Sequence, residues 1–146
     1  MTSNSKESGA RPLPQLTELN RPYWTGGATG KLYIQLCRSC HRLIHPPAIL
    51  CPDDHSPDLH AVPVSGRGTV ESWTENLHSW FPSFPAPYFL AYVVLDDDSR
   101  VRVLTNLVNV VRDDLKIGMP VRVTFERYEV GTDEIFLPLF EPDVDS

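Results

Sequence analysis

The chain has 146 residues, enough for one domain or for one domain joined to a small module. Its 19 acidic and 13 basic side chains give a formal charge of −6, which repels the phosphates that a nucleic-acid binder must attract. The opening Met1-Thr-Ser-Asn-Ser-Lys-Glu-Ser lacks the apolar core of a secretion signal, and no apolar run reaches the roughly 20 residues of a membrane span, so a cytoplasmic protein without nucleic-acid or membrane partners is expected.

Residues 1–15 are polar and rich in Ser, Pro and Gly, and read as a disordered tail. A helical lead follows over residues 16–30. Thr17 is the candidate N-cap, Leu16, Leu19, Tyr23 and Trp24 form an apolar face, and Pro22 limits the length. Gly26, Gly27 and Gly30 punctuate a second short helix. Residues 31–36 alternate as a strand that runs into Cys37, and residues 42–44 read as its hairpin return.

All three cysteines fall in one window of fifteen residues: Cys37-Arg-Ser-Cys40, then Cys51-Pro-Asp-Asp-His55. A Cys-x2-Cys pair holds one zinc between the two sulfurs of a tight turn, and a second turn beginning Cys-Pro supplies the other half of a tetrahedral site. An odd cysteine count at this spacing, without a secretion signal, points to a metal in a reducing compartment rather than to disulfides. The fourth position carries Asp54, with His55 beside it. Asp54 has the register and reach of the missing cysteine and is the preferred ligand; His55 is the alternative. The expected site is a structural zinc on Cys37, Cys40, Cys51 and Asp54, in a ribbon spanning residues 31–63. The competing reading is a decayed site whose cysteines are reduced core thiols. An all-protein set of four ligands leaves no open position for catalysis.

From residue 64 the pattern is strands. Ser65-Gly-Arg-Gly68 is a turn, and residues 69–74 alternate. A Pro/aromatic segment over residues 75–88 precedes a buried apolar strand at 89–95. An acidic turn, Asp96-Asp-Asp-Ser99, leads to a partner strand at 101–107. Residues 113–120 read as a helical turn closed by Gly118, and two more strands follow at 121–125 and 135–140. Five strands in this length suit a small Greek-key barrel of the OB type over residues 64–142. The expected fold class is mainly β: short N-terminal helices and a rubredoxin-like zinc ribbon, then a five-stranded OB-fold barrel.

The ordered motifs Cys37-x2-Cys40, Pro46-Pro47, Cys51-Pro52, Ser65-Gly-Arg-Gly-Thr-Val70, Leu104-Thr-Asn-Leu107, Ile117-Gly-Met-Pro-Val121 and Leu137-Pro-Leu-Phe140 together carry a resemblance. The chain resembles the acyl-CoA-associated family of zinc ribbon plus OB-fold proteins, formerly a domain of unknown function. It departs from that family at Asp54, where a fourth cysteine is usual. The resemblance implies a non-catalytic companion subunit of thiolase-like enzymes, including the aldolases and hydratases of steroid side-chain breakdown. It implies a hetero-oligomer in which the OB part helps to hold the CoA thioester and stabilises the catalytic subunit.

The residues themselves show no catalytic constellation. His41, His45, His55, His60 and His78 are scattered, no Ser sits in a nucleophile elbow, and the carboxylates Asp96–98 and Asp113–114 read as solvated turn residues. The segment containing Trp80, Phe81, Phe84 and Tyr88 either presents rings to a partner or closes the barrel core, and its three prolines favour presentation. Arg67, Arg100, Arg102, Arg112, Lys116 and Arg122 are the candidate cations for CoA phosphates. Two other classes stay open: an OB module that stacks single-stranded nucleic acid, and an autonomous acyl-CoA enzyme.

Overall fold

In the computed structural model, residues 6–7 and 11–144 are described. The elements in order are β1 (Lys6–Glu7), α1 (Arg21–Thr25), a 3-10 turn (Gly26–Thr29), β2 (Leu32–Cys37), β3 (Leu43–Ile44), β4 (Leu59–Val64), β5 (Arg67–Asn76), β6 (Tyr88–Leu95), β7 (Arg102–Leu107), β8 (Pro120–Val130) and β9 (Asp133–Pro142), with a second 3-10 turn at Arg112–Asp114.

Helix α1 starts later than Thr17. Proline has no N–H to give and is tolerated only in the first helical turn, so Pro22 sets the start of the helix. Thr17 caps the preceding turn instead: its N–H donates to Asn20 Oδ1 at 2.7 Å, while the Asn20 N–H donates to Thr17 Oγ1 at 3.1 Å. The following 3-10 turn ends at Gly30, whose φ of 74° lies in the left-handed region that glycine enters without strain.

Strand β2 is the centre of a three-stranded antiparallel sheet in the order β3-β2-β4. Its buried Leu32 and Ile34 join Val70, Val93, Leu95, Val101, Val103, Val121 and Phe140 in one apolar cluster, so the ribbon sheet packs on the barrel core. Cys37 and Cys51 pack separately with Ile44, Ala48 and Leu59 beneath the knuckles.

The barrel runs β8-β5-β6-β7-β9 and closes through a ten-pair antiparallel ladder between β8 and β9. The parallel contact of β7 with β9 is the single pair Leu107 with Phe140. This is a five-stranded OB-type barrel. A register shift between Val70 and Ser72 bends β5, which pairs with β8 at one end and with β6 along its length.

Two stretches differ from the expectation. Gly118, with φ 91°, does not close a helix; its N–H donates to the Val70 carbonyl at 2.8 Å and stitches the loop onto the β5 bend. Strand β8 continues to Val130, well past residue 125, because its charged second half is neutralised along the strand and by Glu134 on β9. Arg127 pairs with Glu134 and Glu129, and the Tyr128 hydroxyl donates to Glu126.

Residues 11–15 are not a free tail. Leu13 and Leu16 pack on the cluster of Tyr128, Ile135, Leu137 and Leu139, and Arg11 reaches Asn106 Oδ1 at 3.1 Å. The remainder of the expected tail, residues 1–5 and 8–10, lies outside the described residues. Among the described residues no helix is long and apolar enough to cross a membrane.

Candidate metal centre

The two knuckles are built alike, bond for bond. In the first, the Cys37 N–H donates to the Arg42 carbonyl at 2.9 Å, and the His41 N–H returns to the Cys37 carbonyl at 2.8 Å. In the second, the Cys51 N–H donates to the Ser56 carbonyl at 2.9 Å, and the His55 N–H returns to the Cys51 carbonyl at 2.9 Å. His41 and His55 both adopt left-handed backbone, with φ 64° and 58°. Superposing the first turn on the second puts Cys40 on Asp54 and His41 on His55. His55 therefore closes its turn as His41 does, and Asp54 stands at the position that Cys40 holds in the first turn.

The side chains agree. One atom from each of Cys37, Cys40, Cys51 and Asp54 lies within 4.8 Å of the others. Cys40 and Cys51 sulfurs are 3.6 Å apart, and Cys37 Sγ lies 3.6 Å from Asp54 Oδ1. Zinc bonds of about 2.3 Å to sulfur and about 2.0 Å to oxygen give tetrahedral edges of roughly 3.8 Å between sulfurs and roughly 3.5 Å from sulfur to oxygen. Both of these edges match those of a tetrahedral zinc site.

Its electrostatics call for a cation. Burial raises the Cys37 thiol, but the backbone N–H groups of Cys40 and Ser39 more than offset this and leave its pKa lowered. The Arg42 amide lowers Cys40, yet burial and the Cys51 and Cys37 sulfurs push it up to about 11. The Asp54 carboxyl is held below the usual range, chiefly by the Ser56 N–H at 3.0 Å. Cys40 is thus raised while Cys37 and Asp54 are lowered; a zinc ion bound here would favour the deprotonated form of each of its ligands.

The remaining sequence candidates lie elsewhere. His45 is half-buried against the Tyr23 ring at 4.7 Å, His60 Nδ1 accepts from Arg38 Nε at 3.0 Å, and His78 packs on Trp80. Of the cations offered for CoA phosphates, five are paired with carboxylates. These are Arg67 with Asp143, Arg100 with Asp98, Arg102 with Glu71, Arg112 with Glu75 and Arg122 with Glu141. Lys116 is exposed.

The Pro/aromatic segment divides between the two readings. Trp80 and Phe81 are 67% and 49% exposed, whereas Phe84 is half-buried between Tyr88 and Arg11.

Sequence reasoning missed a set of residues that joins the two modules. Asp97 receives Ser65 N–H at 3.1 Å and Ser65 Oγ–H at 2.6 Å, and so caps the entry to the barrel. Asp98 binds Arg100, which in turn reaches Asp53 on the second knuckle. These acidic residues are module contacts rather than a solvated run. The available signal was an arginine placed two residues after an aspartate in a turn.

A rubredoxin-like zinc ribbon followed by an OB barrel is the class of protein that this fold and site define. Two family profiles match in the same order: the ChsH2 rubredoxin-like zinc ribbon domain over residues 24–60, and the ChsH2 C-terminal OB-fold domain over residues 61–126. A chain of the solved structure named "Ltp2-ChsH2(DUF35) aldolase" is 34% identical with a TM-score of 0.75, covering 89% of this chain and 98% of that one. The chain belongs to the ChsH2 zinc ribbon plus OB-fold (DUF35) family. A DUF35 protein of unknown function from Sulfolobus solfataricus, 13% identical with a TM-score of 0.59 over 86% of each chain, shares the fold. Two curated relatives are longer. "Probable enoyl-CoA hydratase alpha subunit" of Thermomonospora curvata is 34% identical over 97% of this chain and 43% of its own length. The "3-oxo-4,17-pregnadiene-20-carboxyl-CoA hydratase alpha subunit" of Mycobacterium tuberculosis is 34% identical over 70% of this chain and 32% of its own.

Proposed function

We propose that this chain is a non-catalytic subunit that binds and stabilises a thiolase-like enzyme acting on CoA thioesters, including those of steroid side-chain breakdown. A structural zinc on Cys37, Cys40, Cys51 and Asp54 holds its ribbon. The observation that carries this reading is the 34% identity across nearly all of the ChsH2 chain of an aldolase assembly. The names of the two hydratase alpha subunits, one for a pregnadiene-carboxyl-CoA, support a subunit of a complex that handles CoA thioesters.

Two structural features support a companion role. Tyr23 and His45 are raised and lowered in pKa by burial alone, with no charged partner, which is the signature of core packing rather than of an acid–base pair. Trp80 and Phe81 stand exposed on one loop, and aromatic residues are the types enriched at interfaces. Because the arginines are already neutralised, a part in holding CoA requires one pair to exchange its carboxylate for a phosphate. The same pairing counts against the single-stranded nucleic-acid reading.

The test is co-purification of the untagged chain from its native lysate, followed by reconstitution. The expected result is a thiolase-like partner whose solubility or turnover rises with this chain present, while the isolated chain turns over no acyl-CoA. A partner equally soluble and active alone overturns the proposal.

A further inference from the structure

Asp53 faces two ways. Its backbone N–H donates to Cys51 Sγ at 3.4 Å, so its main chain is part of the metal knuckle. Its carboxylate meets Arg42 Nη1 at 2.6 Å, just past the first knuckle, and Arg100 Nη1 at 3.7 Å, on the turn between β6 and β7 of the barrel. Arg100 is fixed by two contacts to Asp98, Nε to Oδ1 at 3.1 Å and Nη2 to Oδ2 at 3.0 Å. The turn thus reaches the ribbon at Asp53, through an arginine that Asp98 holds.

A lone exposed ion pair carries little. This arrangement differs because one carboxylate serves two guanidiniums, and Arg100 is held in place before it meets Asp53. The geometry of the pair depends on the knuckle. When all four ligands close on a metal, the turn from Cys51 to Asp54 is rigid and the Asp53 carboxylate is presented to Arg100. Loss of the metal would free the turn from its ligand bonds, and with it the placement of the Asp53 carboxylate.

We propose that Asp53 is a positioning residue that couples metal occupancy of the ribbon to the placement of the β6–β7 turn of the barrel. Coupling between two sites is reciprocal, so Arg100 holds the metal in the ribbon as the metal holds the turn. This goes beyond the companion-subunit reading and stands without it, because no partner enters the argument.

The experiment uses the zinc-loaded full chain and follows zinc release to a chromophoric chelator. Asp53→Asn keeps the N–H donated to Cys51 and removes only the charge. Asp53→Asn and Arg100→Ala are expected to release zinc about fivefold faster than the parent chain. Arg127→Ala, which breaks a pair on the β8–β9 hairpin away from the ribbon, is the control and is expected to leave the rate unchanged. Hydrogen exchange supplies a second readout. Amides of residues 96–101 are expected to lose protection on metal removal, and zinc-loaded Asp53→Asn is expected to match the stripped chain there while β8–β9 stays protected. Should stripping unfold the barrel as well, the comparison of the two zinc-loaded chains decides. Release rates for Asp53→Asn and Arg100→Ala equal to the control, or equal protection of residues 96–101 in zinc-loaded parent and Asp53→Asn, overturn the proposal.

Discussion

Arg11 lays its guanidinium 3.9 Å from the centre of the Phe84 ring, and on its other side faces Asn106 and Glu126 of the barrel. One side chain from the N-terminal segment thereby pins the base of the Pro/aromatic loop and leaves the outer rings free. Replacing Trp80 and Phe81 together by Ser is expected to leave the melting point of the isolated chain nearly unchanged, since exposed substitutions stay within about 0.5 kcal/mol. Binding of the catalytic partner is expected to weaken by about 2 kcal/mol per anchor. Phe84→Ser is expected to do the reverse and destabilise the chain by about 1–3 kcal/mol, below the full cost of a completely buried ring. Melting curves and partner affinity on both variants separate the two roles; a stable Phe84→Ser beside an unfolded Trp80/Phe81 variant contradicts the assignment.

The metal centre is expected to contain one zinc per chain by elemental analysis. Asp54→Ala is expected to lower affinity by more than the roughly 10–100-fold that loss of an outer-shell partner costs. His55→Ala is expected to keep the parent affinity, and Asp54→Cys to keep or tighten it. Chelator competition reads all three. Retention in Asp54→Ala together with loss in His55→Ala moves the fourth ligand to the histidine. Stripping the zinc is expected to unfold the ribbon, because ligand binding is here folding free energy.

Burial pushes His45 from 6.5 down to about 4. The unfolded chain therefore binds a proton that the folded chain refuses between those values. The contribution of His45 is complete above pH 6.5 and is lost progressively as pH falls to 4, up to about 3 kcal/mol. Acid also releases zinc, so the readout is the difference in slope between the parent chain and His45→Gln. Denaturant midpoints from pH 7 to pH 5 are expected to fall more steeply for the parent, with metal content followed in parallel; equal slopes remove His45 from the account.

Gly68 sits where β5 pairs with both β6 and β8. A Cβ there meets the Val94 carbonyl oxygen and Val93 Cγ1, each at 2.6 Å, and the first of these is backbone that cannot turn away. Gly68→Ala is expected to cost about 1–3 kcal/mol by chemical denaturation. A neutral result shows that the barrel yields at this point.

Local patterns carried the architecture into the sequence, and long-range pairings did not. Alternation marked β5 and the first half of β8, an apolar run marked β6, and the two cysteine turns marked the candidate metal centre, because each signal is complete within about ten residues. The length of β8 was hidden: Glu126, Arg127 and Glu129 look like a turn until Glu134 on the returning strand neutralises Arg127. Arg11 was hidden for the same reason, lying in a Ser/Pro/Gly stretch while its partners Asn106 and Glu126 are about a hundred residues away. At the metal centre, spacing left Asp54 and His55 both open; the folded turn distinguishes them, with His55 in left-handed backbone and Asp54 Oδ1 3.6 Å from Cys37 Sγ.

The matched backbone of the two knuckles has a consequence for metal preference. Each turn is closed by its own pair of amide bonds, and in the second Asp54 Oδ1 also accepts the Ser56 N–H at 3.0 Å. Exchanging a thiolate for a carboxylate there leaves the fold intact while making the donor set harder. Thiophilic ions such as cadmium and copper(I) lose one of the four sulfurs they favour, whereas zinc accepts either atom. In this scaffold, the choice of ion can drift by a single residue while the polypeptide path stays as it is.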